Sequence, residues 1–568
     1  MIAIFISWII LVFILLTFGD MLLALSKRIC MQAGNYNLVD KLLAGLCLLI
    51  IPLSVWSLWM PSNHIFLLIS IAVSLVYWSI YRKKASGIFS SIKRSVTNLT
   101  KIQVLLLIVF GLFSLYLFSW EQGVYDSLVY HHQNIRWNEE YAVVPGLANL
   151  DDKFGFNSNY FLLSSVFTFR FILGEAIYPL QSFIVTAISI WVLYELFKSN
   201  YEIKRVIIFI SYILLFWVSI YFLGNTSTDI LPNFIAFYIL ARITLYPELL
   251  KTNKVLYIIL PVFLLTCKLS FFPICIISFY LLFPLIKEKK YKELTFLVCI
   301  CCLIAIPWLI RNVIISGYFV YPLYQVDLFS FDWKVPREVA IQQKDYIFTV
   351  GYYFLRTTLR YPDMSIRDPL AINILADIIY LFTFISMSIM TYYLIKHRRK
   401  ANAQVWLMYS VFLLSIPVWA TGGPDIRFIS GILCAAIFTG GTLLLKSNHL
   451  PLIGKTVSFL LMIGIFTWSS HNLYNFSSQT YNSDIISHII YKPYSVIDQK
   501  RAQGIEAEKD FTLYPLNNGV TILVNSSFSY DIFPSTIYST YAKFLPIDCL
   551  EARGSSLQDG FKAKESCK

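Results

Sequence analysis

Long apolar stretches separated by short polar connections dominate the chain, near residues 2–25, 41–59, 64–81, 102–120, 176–197, 206–223, 230–246, 255–268, 271–286, 293–315, 371–395, 403–420, 428–446 and 455–472. A helix rises about 1.5 Å per residue, so stretches of this kind suit a hydrocarbon layer about 30 Å thick. The pattern predicts an all-α integral membrane protein, a bundle of about 14 transmembrane helices. Three longer polar regions interrupt it, at 121–175, 316–370 and 473–568. In the last, Asn518-Gly519 stands between β-branched and apolar runs in FTLYPLNNGVTILVNS (511–526), the signature of a hairpin in a small α/β or β-rich module. The organisation expected is an N-terminal extension with three transmembrane helices (1–101), a central transmembrane domain (102–472) with large loops at 121–175 and 316–370, and a C-terminal module (473–568).

Charge decides orientation. Lys27 and Arg28, Arg82 to Lys84, Lys204 and Arg205, KEKKYK (287–292) and KHRRK (396–400) occupy one set of connections, which the positive-inside rule assigns to the cytoplasm. The connections of opposite parity, PSNH (61–64), NTSTD (225–229) and GGPD (422–425), have no Lys or Arg. Both termini and the three polar regions then face outward. The expected setting is a multi-pass protein of the inner or plasma membrane, working on the periplasmic or extracellular face. This parity requires that 159–173 not span; with Ser164, Ser165, Thr168 and Arg170 it is expected as an amphipathic or re-entrant element at the outer interface. The first apolar segment lacks a basic leader and a small-residue cleavage site, so it is expected as a retained helix.

Composition agrees with a lipid solvent. Hydrophobic residues make up 57% of the 568 and charged residues only 14%, where soluble domains carry about a quarter. The net charge of +13 is dispersed between apolar segments instead of forming one basic face, which argues against a nucleic-acid partner. Eight of the ten cysteines lie in or beside apolar segments, as small buried hydrophobes do. Cys549 and Cys567 lie in the polar tail, where an oxidising compartment would permit a disulfide. No Cys and His spacing resembles a zinc site.

The densest chemistry follows the fourth apolar segment, in EQGVYDSLVYHHQNIRWNEEYAVVPGLANLDDKFGFNSNYF (121–161). A helix over 126–138 would put Asp126, Tyr130, Gln133 and Trp137 on one face and Ser127, His131, Asn134 and Asn138 on the next. A carboxylate held there can act as a general base toward a hydroxyl; a solvated loop of hydrogen-bonding residues is the alternative. Tyr130, His131, His132 and Glu139 are the substrate-binding groups expected around it. Adjacent histidines project differently, which favours hydrogen bonding over metal ligation. A divalent cation is possible if the loop folds back to bring Asp126 to Asp151 or Asp152.

Basic residues supply the second element. Arg311, with Asn312, lies near the outer end of an apolar segment in PWLIRNVIISGYFVYPLY (307–324), where it is either functional or snorkelling to headgroups. Lys268 in CKLSFFP (267–273) and Arg427 in TGGPDIRFISG (421–431) stand at outer connections that the topology rule keeps free of cations. A phosphate or an acidic side chain is their natural partner. Asp425 is either a binding group or a local cap and ion partner of Arg427, and Asp229 is expected as an N-cap.

Taken together, YDSLVYHHQNIRWNEEYAVVPGLANLDDKFGFNSNYF, CKLSFFP, PWLIRNVIISGYFVYP and PDIRF, spread over roughly residues 102–446, resemble a group of bacterial membrane proteins near the GT-C superfamily of integral-membrane glycosyltransferases. That resemblance implies a GT-C-like bundle, a polyprenyl-phosphate-linked sugar donor, a membrane-lipid environment, and a glycan, lipid or protein acceptor. Asp126 becomes the counterpart of the first-loop catalytic carboxylate, with Asp151 and Asp152 as competitors. The group often carries histidine where Asp151 stands. Arg311, Lys268 and Arg427 would hold the leaving lipid phosphate, and attack from the opposite side would invert the anomeric carbon. A glycan polymerase or ligase using lipid-linked oligosaccharides is one alternative. A non-enzymatic transporter or lipid flippase is another, although its polar groups belong near the midplane of matched halves.

Overall fold

The computed structural model describes residues 1–30, 34–121, 123–360, 370–398, 402–445, 451–478, 490–538 and 543–567; Arg399 and Lys400 of the last basic connection lie outside the described residues. The chain opens with α1 (Ile2–Cys30), α2 (Leu38–Trp56), α3 (His64–Ile80), α4 (Arg82–Thr97) and α5 (Lys101–Leu117). Gly19 and Gly45 let α1 and α2 touch backbone to backbone, since a Cβ on either would overlap an opposing carbonyl. These N-terminal helices share the core of the later ones. Buried Asp40 on α2 pairs with Arg242 at 2.7 Å and accepts the Tyr238 hydroxyl at 2.7 Å.

Each of the fourteen expected segments contains helix, but length separates them. Among the described residues, seven helices are long and apolar enough to cross a membrane, or eight if the bent pair α3 and α4 counts as one span. That corrects the larger count. The shortfall falls on helices such as Ile230–Leu245, Lys254–Cys267 and Ser430–Leu444, which have 14 to 16 residues. A helix of that length rises about 21 to 24 Å, short of the hydrocarbon thickness. Elsewhere the outward faces are apolar, with Leu75, Val76, Phe279 and Phe384 exposed, as a lipid-facing surface requires.

Two local expectations change. The helix foreseen over 126–138 is a π turn, Ser127–His131, running into α6 (His132–Glu140). The wider turn shifts the phase, so Asp126 parts from the face on which it was grouped and meets Arg427, while Gln133 and Trp137 stay together, on the Ile532 carbonyl and the Phe533 ring. The last turn of the 159–173 stretch, Arg170–Leu173, has no buried residue, but the main helix of the stretch is not amphipathic. All eight residues of its Asn159–Val166 helix are buried, because α2, α6 and Lys254–Cys267 cover it on several sides.

In the C-terminal module β1 (Thr512–Pro515) and β2 (Thr521–Asn525) form an antiparallel hairpin. Asn518 and Gly519 both take positive φ at its turn. β3 (Ser535–Ile537) pairs parallel with β2, and β4 (Leu550–Ala552) pairs antiparallel with β5 (Phe561–Ala563). Cys549 and Cys567 form a disulfide across this end. Ile522, Val524, Leu550 and Phe561 share a core with Trp137, Leu147 and Phe154, so the module clamps the 121–175 region. Ser62 donates its backbone N–H to the Asn138 carbonyl, Ser127 bonds Thr226, and Arg427 reaches Asp126. The connections without Lys or Arg therefore gather at one end of the bundle, as their shared parity predicts.

Candidate functional site

Three helices stop short at this end, and each stop carries a charge. Ile230–Leu245 begins after Asp229, Lys254–Cys267 ends at Lys268 in extended conformation, and Ser430–Leu444 begins just past the Ile426–Phe428 turn that holds Arg427. Lys268 Nζ donates to Asp229 Oδ1 and lies 3.6 Å from the Phe428 ring centroid. Asp229 makes no side-chain cap bond; its expected capping role is replaced by this ion pair. Arg427 is held by Asp425, which accepts its Nε and its backbone N–H, each at 2.9 Å. Asp425 is thus the cap and ion partner among its two expected roles. Arg427 also reaches Asp126, where Nη1 donates to Oδ2 at a loose 3.4 Å.

Backbone ties keep these charges in place. Asn233 donates to the carbonyls of Asp229 (2.9 Å) and Arg427 (2.6 Å) and accepts Gly431 N–H at 2.8 Å. Gly431 is required there, because a Cβ would overlap the Asn233 carbonyl. His131 sits beneath Asp126, its Nδ1 donating to the Thr226 carbonyl at 2.7 Å, beside Ser127, which donates to the same oxygen at 2.8 Å. Burial pushes the His131 imidazole down to about 4, so it is neutral at pH 7. Burial also raises the Tyr130 hydroxyl well above its ordinary range, and Asp126, Arg427, Tyr346 and Asp151 all act on it electrostatically.

Asp151 and Asp152 form a second buried group nearby. Asp151 accepts the Lys153 backbone N–H at 3.0 Å and the Thr536 hydroxyl at 3.2 Å, which ties it to β3. Among the described residues, Asp152 Oδ2 and Lys543 Nζ are buried without a hydrogen-bond partner. Burial lifts the Asp152 carboxyl to about 6 and lowers Lys543 to about 8. Lys153 lies 5.6 Å from the Tyr346 ring, and Lys153, Asp126 and Asp152 all act electrostatically on the Tyr346 hydroxyl.

Other expected members are elsewhere. Arg311 is buried, with Nη1 on Ser57 Oγ (2.8 Å), Nη2 on Asn138 Oδ1 (2.5 Å) and Nε on Asn157 Oδ1 (3.4 Å). Asn138 lies twelve residues beyond Asp126 along the π turn and α6, roughly 16 Å away at helical rise. Arg311 therefore does not join the Asp126 cluster; neutral amides and a hydroxyl solvate it instead, beside a cavity with room for about one water. Glu139 is likewise not open to a substrate. It accepts Thr168 (2.7 Å) and Arg170 (2.9 Å), while Arg170 also grips Asp531 of the module at 2.6 and 2.9 Å. His132 stacks on Tyr178 with its Nε2 3.1 Å from Glu121, which in turn accepts Val496 N–H at 2.9 Å. Both fasten the loop to its surroundings. Among the described residues no three His, Cys, Asp or Glu side chains gather as a metal-ligating group, Asp126 with Asp151 and Asp152 included.

Asn233, Tyr346 and Lys543 are the members that sequence reasoning overlooked, and Asp229 was read only as an N-cap. Asp229 carried a usable signal, being the acid in a connection otherwise free of charge. The chain belongs to a family defined by a domain of unknown function, DUF8201, whose model matches residues 1–434. No curated protein and no solved structure matches it.

Proposed function

We propose that this DUF8201-family protein is a multi-pass membrane transferase that moves a sugar from a polyprenyl-phosphate-linked donor to a hydroxyl of a glycan, lipid or protein, with Asp126 as the base. The supporting observation is the unequal exposure of three carboxylates in one cluster. Asp425 and Asp229 are 5% and 7% exposed and occupied by Arg427 and Lys268, whereas Asp126 is 30% exposed with one loose contact. A carboxylate in that position can exchange its guanidinium contact for an acceptor hydroxyl.

The reaction then balances as a displacement. Asp126 takes the hydroxyl proton, the acceptor oxygen bonds the anomeric carbon with inversion, and the bond from that carbon to the phosphate oxygen breaks. Arg427 and Lys268 hold the charge left on the lipid phosphate, so no general acid is needed. The short helices suit this reading: if they cross the bilayer, the cluster at their ends lies toward lipid depth, where a polyprenyl tail can lie between helices. On this reading the short helices cross together with the extended segments that end them. The bundle is then GT-C-like, with the site on the outer face of the inner or plasma membrane.

The test is transfer from a lipid-linked sugar by purified protein in vesicles. Asp126→Asn is expected to lower kcat by on the order of 10²- to 10⁴-fold with little change in KM. Full activity in that variant would remove Asp126 from the role, and substrate accumulation without a covalent product would replace transfer by transport.

A further inference from the structure

We infer that α4 is an interfacial helix that binds anionic lipid at the end of the bundle opposite the candidate site. α3 starts at the same end of the bundle as that site, with Asn63 donating to the Glu139 carbonyl at 3.2 Å. Its 17 residues carry the chain about 25 Å away. There α4 leaves at 92° to α3. If α3 crosses the bilayer, α4 lies in the membrane plane.

The elbow is built. Tyr81 departs from helical backbone at φ −103 and ψ 38. Tyr77 donates its hydroxyl to Asp20 at 2.5 Å, and Lys84 reaches the same carboxylate at 2.9 Å while covering the Tyr81 ring at 4.7 Å. The angle is thus tied to α1 rather than left to a free joint.

The sequence of α4, RKKASGIFSSIKRSVT, places Ala85, Ile88, Phe89, Ile92 and Val96 in one stripe at helical spacing. No residue of α4 is buried, and Phe89 is 73% exposed. A packed protein core would not leave that stripe uncovered. Arg82 and Lys93 flank it on one side and Lys84 on the other, while Lys83 and Arg94 lie opposite, and the helix contains no acid. An apolar stripe between cations fits acyl chains below and phosphate headgroups beside them. A second protein would need matching acids on both flanks of an apolar ridge, and a purely neutral lipid would offer no counter-charge to Arg82, Lys83, Lys93 and Arg94, Lys84 being paired with Asp20.

A photo-crosslinking phenylalanine analogue at Phe89 of the full chain, in vesicles of phosphatidylcholine with one quarter phosphatidylglycerol, tests this directly. Mass spectrometry of the α4 peptide is expected to find acyl-chain adducts whose ratio of phosphatidylglycerol to phosphatidylcholine exceeds the bulk ratio on the order of fivefold, about the worth of one engaged basic side chain. Lys83→Gln, Lys93→Gln and Arg94→Gln together are expected to abolish the enrichment without changing the adduct yield, and the three Arg or Lys exchanges to restore it. These side chains are exposed, so the variants retain the fold. Adducts to protein, an absence of lipid adducts, or lipid adducts in bulk proportion would each overturn the inference.

Discussion

Arg427 and Arg311 are both drawn in at the same end of the bundle, and their surroundings solve the cost of a guanidinium in opposite ways. Arg427 is surrounded by carboxylates, one fully engaged and one loosely held. Arg311 has a hydroxyl and two side-chain amides, and it is only 2% exposed. Neutral partners satisfy hydrogen bonds without supplying counter-charge, so that arrangement is rigid and joins α2, α6 and the 157 loop to the Tyr291–Ser316 helix. Excess acid around Arg427 does the reverse, leaving one carboxylate free to change partners. The lesson is that burial of an arginine does not mark a site; the exchangeability of its partners does.

Substituting the two arginines tests that distinction most severely. Arg427→Met is expected to lower transfer by about 10²- to 10³-fold, the loss typical of one charge-stabilising donor. Arg311→Met is expected instead to cost about 3 kcal/mol in detergent unfolding, because Ser57, Asn138 and Asn157 lose their common donor. Its transfer rate per folded molecule should stay within about threefold of the parent. If Arg311→Met were stable but inactive, the two regions would exchange roles.

A smaller effect probes how the module holds the site. Asp531→Asn removes the carboxylate gripped by Arg170 and is expected to weaken module docking by about 2 kcal/mol, read as faster proteolysis near residue 531. Equal cleavage rates would show that apolar packing alone holds it. The smallest effect is one proton. Because burial lowers His131 to about 4, its stabilising contribution is complete above about pH 6.5 and is lost as pH falls toward 4. His131→Asn keeps a donor for Thr226, so its Tm should fall less steeply than that of the parent across that interval. An unchanged slope would assign the acid loss to carboxylates instead.

Much of the fold was legible because hydropathy is summed over neighbours in the chain. The positions of the helices, the parity of their connections and the hairpin at Asn518-Gly519 follow from consecutive residues. The helix ends at the site were legible too, since the apolar segments 230–246 and 255–268 stop where the Ile230–Leu245 and Lys254–Cys267 helices do, but Asp229 and Asp126 as partners of Lys268 and Arg427 were not, because they come from distant parts of the chain. The π turn at Ser127–His131 was hidden for a related reason, since its register is set by Thr226, which holds both Ser127 and His131.

By itself, then, the sequence determined a membrane-suited helical chain with its chemistry on the connections of one parity, because lipid selects long apolar runs and translocation sorts basic loops. Only tertiary structure decided which charges meet. Asp126 and Arg427 are 301 positions apart, and Lys268 and Asp229 are 39. A pairing at such separations depends on how helices pack, not on any local pattern. Packing also placed Arg311 a helix length from Asp126, which composition and periodicity could not anticipate.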